Sequence, residues 1–156
     1  MSIEKVKAYF KSLNIEDKIL ILDESSATVD LAAQALGVEG KRIAKTLSFK
    51  TPDGCILIVT AGDAKIDNAK YKKTFSTKAR MLAFDEVPEL IGHAVGGVCP
   101  FAVKENVKVY LDESLKRFTT VFPACGSANS AIELTIPELE RYSKFDSWVD
   151  VCKDWE

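Results

Sequence analysis

The sequence is poor in the groups from which most hydrolytic and metal-dependent sites are built. It has one histidine, His93, in 156 residues, so a Ser-His-Asp or Cys-His device has a single imidazole to use. No serine lies in a Gly-x-Ser-x-Gly context, and no phosphate-binding loop of the nucleotide-hydrolase type is present. The four cysteines, Cys55, Cys99, Cys125 and Cys152, include no Cys-x-x-Cys pair. With one histidine they do not compose a zinc cluster, and neither a metal nor another cofactor is expected. They read as reduced thiols, mostly small buried apolar residues. Cys99 and Cys125 stand apart, each lying close to glycine in an expected loop. No apolar run approaches the roughly 20 residues that span a bilayer, and the first residues lack a signal-peptide core. A cytoplasmic protein without a membrane partner is expected. The net charge of −2 lacks the basic excess that tracks a duplex, so DNA is not an expected partner. A local basic patch meeting a short nucleic-acid end stays compatible with it.

What is present is ordinary globular material. At 47% hydrophobic and 28% charged residues, the chain can bury a proper core, and residues 1–156 are expected to form a single domain without repeats or linkers. Ile3, Val6, Phe10 and Leu13 recur at helical spacing, with Ser2 as a cap and Asn14 as the stop. Ile19–Leu22 reads as a short, fully apolar strand. Asp23–Thr28 is loop and cap chemistry before a helix over Val29–Leu36, closed by Gly37. Thr51-Pro-Asp-Gly54 is a turn that joins a strand of residues 42–50 to a nearly all-apolar strand Cys55–Ala61, expected at the centre of a sheet. Asp67 caps a lysine-rich helix, and Asp85–Gly92 is a short helix with an acidic first turn. Val107–Leu111, Thr119–Pro123 and Ala131–Thr135 read as strands. Thr135 and Glu138 have capping-box spacing. The tail, with Trp148, Val149, Cys152 and Trp155, is expected to dock on the sheet. These elements predict an α+β fold: one domain with a mixed, largely antiparallel, curled sheet flanked by helices.

Within Arg42-Ile-Ala-Lys45-Thr-Leu-Ser-Phe49, period 2 places Ile43, Lys45, Leu47 and Phe49 on one face. The apolar face then carries Lys45, and an ammonium there is costly unless an anion meets it or the side chain reaches water. Three glycine-containing loops, Gly62–Lys65, Gly96–Pro100 and Ala124–Ser127, offer backbone N–H groups that can hold an anion or a carbonyl oxygen. The run from Lys65 to Arg80 holds six of the 21 basic residues. It is either a solvated helix face or a phosphate-facing patch, with Tyr71 and Phe75 packed beneath it or against a base.

Arg42-Ile-Ala-Lys45-Thr-Leu, Ala61-Gly-Asp, Gly96-Gly-Val-Cys-Pro100 and Ile132-Glu-Leu134, in that order, resemble the YbaK/prolyl-tRNA synthetase-associated editing domain family over about residues 25–140. The resemblance implies an enzyme that hydrolyses the ester between a wrong amino acid and the terminal ribose of tRNA, probing the acceptor end with no cofactor. The substrate it implies is tRNA(Pro) carrying a small non-cognate amino acid. Lys45 matches the family's essential lysine. Gly96, Gly97, Val98, Cys99 and Pro100 match its glycine-proline loop, and Thr28 a pocket-lining position. Ala124, Cys125, Gly126 and Ser127 match a pocket loop. The cysteine-specific branch has serine at the position of Ala124 and aspartate at that of Ala131, so the amino acid removed stays open. Lys65, Lys70, Lys72 and Lys73 are the expected tRNA contacts, and a synthetase is a candidate partner. Two rival readings stand beside this one: a non-catalytic module of the same family that senses charged tRNA or partners a synthetase, and a thiol hydrolase using Cys99 or Cys125.

Overall fold

The computed structural model describes residues 2–155, Ser2 by its backbone alone, so the cap expected of Ser2 lies outside the described residues. Helix α1 (Ser2–Ser12) ends where Asn14 turns left-handed, at φ 61°. It buries Val6 and Phe10, the Phe10 ring meeting Phe101 at 4.9 Å and Tyr142 at 6.2 Å. Of the apolar stretch Ile19–Leu22, Ile19 packs against the core but Leu20 and Ile21 do not enter it. Strand β1 is only Leu20–Ile21, with Ile21 54% exposed, because its one partner is the equally short β7 (Ser130–Ala131). Helix α2 (Val29–Leu36) is capped by the Thr28 side chain, which accepts from Leu31 N–H, and is closed by Gly37 at φ 69°.

The centre of the molecule is the hairpin of β2 (Ile43–Thr51) and β3 (Gly54–Ala61), paired antiparallel from Ala44↔Ala61 to Thr51↔Gly54. Seven of the eight β3 residues are buried, each large aliphatic one contributing about 1.5–3 kcal/mol. β4 (Lys65–Ile66) follows, then α3 (Asn68–Phe75) with the Asp67 carboxylate on the amides of Ala69 and Lys70, and α4 (Glu86–Ile91) closed by Gly92. β5 (Lys108–Asp112), β6 (Thr120–Pro123), β8 (Leu134–Thr135), α5 (Ile136–Ser143), β9 (Ser147–Val149) and β10 (Cys152–Lys153) complete the chain. The main sheet has the order β8-β6-β2-β3-β5-β9. Pairs β6–β8 and β2–β3 are antiparallel, and β2–β6, β3–β5 and β5–β9 are parallel. This is the mixed sheet with flanking helices that the sequence predicts, although three of its five pairings are parallel where a largely antiparallel sheet is expected.

Three details depart from the expected layout. The segment Ala131–Thr135 runs back along β6, Ile132 N–H donating to Pro123 O at 3.1 Å and Ala131 bridging Ala124, but its start also belongs to β7, which pairs with β1. The tail docks by hydrogen bonding as well as by its apolar side chains: β9 extends the sheet edge beside β5, and β10 pairs with β4. The β2 strand also has cover on both faces. Ile43 packs with Ala32 and Phe122, whereas its neighbour Ala44 joins the main core.

The tail is tied in by a buried carboxylate. Asp112 is fully buried, one oxygen accepting from Ser114 N–H and the other from Val151 N–H, both at 2.9 Å. Asp112→Ala leaves two buried amides without acceptors, and urea unfolding should show a loss of about 3 kcal/mol.

Candidate functional site

The pairing of β2 explains where the site lies. One of its edges is covered along Ala44–Thr51 by β3. On the other edge, β6 reaches only Ile43 and Ala44. Farther along, residues 80–82 take over: Lys50 N–H donates to Arg80 O at 2.7 Å, Leu82 N–H donates to Ser48 O at 3.2 Å, and Phe49 faces Met81. Residues 45–47 are left as a three-residue gap. Antiparallel alternation turns the main-chain N–H and C=O of Thr46 toward it.

A cavity of about 510 Å³ opens at this gap, within the range of small-molecule sites. Its walls are residues 26–29 before and in α2, residues 43–48 of β2, Met81, Leu82, Phe84 and Val87, the loop residues Val95, Gly96 and Val98, and Ala124, Ser130 and Ala131. Two hydroxyls in this wall, Ser26 Oγ and Thr46 Oγ1, are buried without a hydrogen-bond partner. Buried polar groups rarely stay unpaired, so these two are open to a partner from the cavity, a water or a bound molecule. Neither was singled out from the sequence. Thr46 had a signal in its position beside Lys45; Ser26 sits among four residues of similar loop chemistry and had none.

Lys45 is half-buried in the cavity wall. Its Nζ donates to Ala64 O at 2.5 Å and Gly62 O at 3.5 Å. An ammonium has three donors, so one is left for a ligand. No carboxylate forms an ion pair with it among the described residues. The nearest acidic influence, Asp63, is clamped by Arg117 through Nη2–Oδ1 at 2.6 Å and Nη1–Oδ2 at 3.0 Å. Hydrogen bonding from that guanidinium holds the Asp63 carboxyl below its usual range. Burial pushes the Lys45 ammonium below its ordinary value, against the opposing influence of Cys152 and Asp63 and with the help of Lys65. Gly62 is required where it stands, since a Cβ there would lie 2.0 Å from Gly40 O.

The other expected site residues divide. Thr28, Gly96, Val98 and Ala124 line the same cavity as Lys45. Gly97 does not; it supports the wall from behind, where an added Cβ would lie 2.6 Å from Ser127 N. Its N–H donates to Ala94 O, whereas the amides of Gly96 and Val98 make no hydrogen bond among the described residues. Pro100 faces a separate hollow beside Tyr9 and Tyr142. Cys125 and Gly126 lie outside the cavity lining, and the Ser127 hydroxyl is engaged by Asn129 Oδ1 at 2.9 Å and Ser130 Oγ at 2.7 Å. In the basic run, Lys70 pairs with Asp150 at 3.1 Å and donates to Cys152 O at 2.9 Å, while Lys65, Lys72 and Lys73 are exposed. Tyr71 and Phe75 are packed beneath the run, Tyr71 fully buried against Phe49.

The thiol reading fails on geometry. Cys99 and Cys125 are fully buried. Burial pushes the Cys99 thiol up to about 12 and the Cys125 thiol well above its ordinary value. Cys99 Sγ does lie 3.5 Å from His93 Nε2, yet that nitrogen is 2.6 Å from Phe101 O. A contact of that length to a carbonyl requires Nε2 to carry the proton, so it cannot accept one from the thiol. Among the described residues no three His, Cys, Asp or Glu side chains are grouped as metal ligands would be.

A mostly apolar cavity with one half-buried lysine, unengaged amides and two orphan hydroxyls is suited to a small, oxygen-rich ligand. The chain belongs to the aminoacyl-tRNA editing domain family, whose model matches residues 23–142. It is 57% identical to the uncharacterized protein YwhH of Bacillus subtilis, with both chains fully covered. It is 27% identical to EbsC of Enterococcus faecalis, a proposed Cys-tRNA(Pro)/Cys-tRNA(Cys) deacylase, over 71% of this chain and 69% of that one. A solved structure proposed to be a trans-editing enzyme for prolyl tRNA synthetase superposes with a TM-score of 0.86 at 29% identity, covering 97% of each chain. Segments of proline–tRNA ligases match as well, the chain spanning about a quarter of their length.

The burial of the thiols has a direct consequence. In the native protein at pH 8, a disulfide-exchange reagent should label Cys99 and Cys125 at least about 100-fold more slowly than free cysteine, because raised thiols hold little thiolate there. Cys99→Ser and Cys125→Ser should leave the site chemistry in place.

Proposed function

We propose that this chain is a hydrolase acting in trans on mischarged aminoacyl-tRNA in the cytoplasm, with tRNA(Pro) carrying a small non-cognate amino acid as substrate. The observation that carries the reading is Lys45: a half-buried ammonium in a cavity wall, held by two carbonyls, with no carboxylate partner and one donor unengaged. Such a group suits the ribose or phosphate oxygens of a 3′ end. Family membership and the likeness to EbsC support ester hydrolysis, and the prolyl relatives support tRNA(Pro).

The reaction is addition of water to the ester carbonyl carbon, collapse of the tetrahedral oxyanion and cleavage of the bond to the ribose oxygen, which takes a proton as the amino acid leaves. An ester needs no protein nucleophile if water is well placed and the oxyanion is stabilised. Lys45 orients the ribose end. The unengaged amides of Gly96 and Val98, in the same cavity wall, and the free Thr46 N–H at the strand gap are the donors for the carbonyl oxygen. The free hydroxyl of the substrate's own ribose assists the proton transfer, in keeping with a cavity lined by no histidine or carboxylate. Small lining residues, Ala27, Ala44, Ala124 and Ala131, leave room for a compact side chain. A sieve of this kind is useful because one methylene gives a synthetase only about 10- to 200-fold discrimination.

Lys45→Ala should lower kcat/KM by at least about 100-fold on Ala-tRNA(Pro) while the melting temperature holds; turnover at the wild-type rate would remove Lys45 from the mechanism. A panel of tRNA(Pro), tRNA(Ala) and tRNA(Cys) carrying Ala, Ser, Cys, Thr or Pro identifies the substrate, and activity on none favours the non-catalytic module. The pH dependence has a definite sign. Burial lowers the Lys45 value, so its charge is lost as pH rises through a point below the ordinary 10.5. After subtraction of spontaneous hydrolysis, kcat/KM should fall on the alkaline side from below that point.

A further inference from the structure

The proposed chemistry gives the ester and ribose a place but assigns none to the terminal nucleobase. Three exposed apolar side chains, Met81, Phe84 and Val95, stand on the rim of the Lys45 cavity. Phe84 is the most exposed large hydrophobic residue described, at 77%. Leaving such a ring in water forgoes about 1.5–3 kcal/mol of burial, and nothing in the fold covers it.

The rim is held firmly for a loop. Residues 80–82 are hydrogen bonded to β2 at Ser48 and Lys50. Ala83 N–H donates to Glu86 Oε1 at 2.9 Å, and the same carboxylate pairs with Lys50 at 2.8 Å. The spacing from Lys45 is set by β2 itself: Ser48, where the rim is attached, is three residues along the strand, about 10 Å at ordinary strand rise. One nucleoside with its ester covers that span. Lys78 and Arg80, on the approach to the rim, form no ion pair among the described residues, which suits the phosphates that precede a terminal nucleotide. An aromatic face and a thioether on one cavity rim offer stacking to a base without demanding base-edge hydrogen bonds.

We infer that Phe84, with Met81 on the same rim, is the platform on which the terminal purine of the tRNA 3′ end stacks, so that the ester reaches the gap beside Lys45. The inference rests on the proposed reading of the site and adds a substrate-binding residue to it.

The test uses the full chain and a tRNA(Pro) acceptor-stem hairpin that ends in 2-aminopurine and carries alanine through a non-hydrolysable 3′-amide. Binding to the wild-type protein should quench the 2-aminopurine fluorescence. Phe84→Leu, which keeps an apolar side chain at an exposed position, should lose the quenching and bind roughly 5- to 150-fold more weakly by anisotropy; Phe84→Trp should retain both. Equal quenching by Phe84→Leu, binding of the wild type without quenching, or no binding at all overturns the platform. So does concentration-dependent dimerisation that Phe84→Leu abolishes, since the face would then belong to a second copy. Deacylation of the charged-tRNA panel, measured in parallel, separates the two claims. Quenching without turnover supports the platform and sinks the hydrolase, and turnover without quenching does the reverse.

Discussion

An ammonium group in a cavity wall has to be held without being neutralised, and that constraint organises this molecule. Lys45 is met by the carbonyls of Gly62 and Ala64, which keep it oriented but leave its charge uncompensated. Each neighbouring feature serves that arrangement. Gly62 lets the turn after β3 approach the Gly40 carbonyl. Arg117 takes the Asp63 carboxylate that would otherwise be the natural partner for the lysine. Burial raises the energetic cost of the charge, and an oxygen-rich ligand relieves it.

The second constraint is the incomplete covering of β2. A strand edge with unpaired N–H and C=O groups is ordinarily a hazard to be hidden. Here β6 stops at Ala44 and the 80–82 segment begins at Ser48, so the gap is short, recessed and walled by side chains from four other parts of the chain. The cavity is therefore a consequence of two partners that fail to meet along one strand. That also explains why the site is built from main-chain groups, hydroxyls and one cation instead of a nucleophile and a base. Cys99 and His93 are close together but sealed in the interior, with His93 committed to Phe101.

Much of the skeleton was legible because local chemistry decides it. The Thr51–Gly54 turn, the Thr28 and Asp67 caps, the Gly37 stop and the Thr135–Glu138 capping box are all interactions within a few residues, and all lie where the spacing of residue types places them. That Lys45 stands half-buried in a wall and not on the open surface was legible from its place on an apolar strand pattern. The fate of short apolar runs was not. Ile19–Leu22 looks like a core strand, yet only Ile19 packs against the core, while Leu20 and Ile21 are exposed in a two-residue strand paired with β7. Period 2 likewise cannot tell that both faces of β2 are covered.

By itself, then, the sequence determined the hairpin, the helix boundaries, the candidate lysine and the family pattern, since each depends on near neighbours or on an ordered set of motifs. Only the tertiary structure decided which of the named loops touch the lysine. Gly96 and Val98 reach its cavity, Pro100 faces another hollow, and Cys125 is in the core. It also supplied Ser26, Thr46 and Phe84. What sets them apart arises from what surrounds them in space: a hydroxyl is orphaned, or a ring left bare, only after distant segments have packed and failed to provide it with a partner.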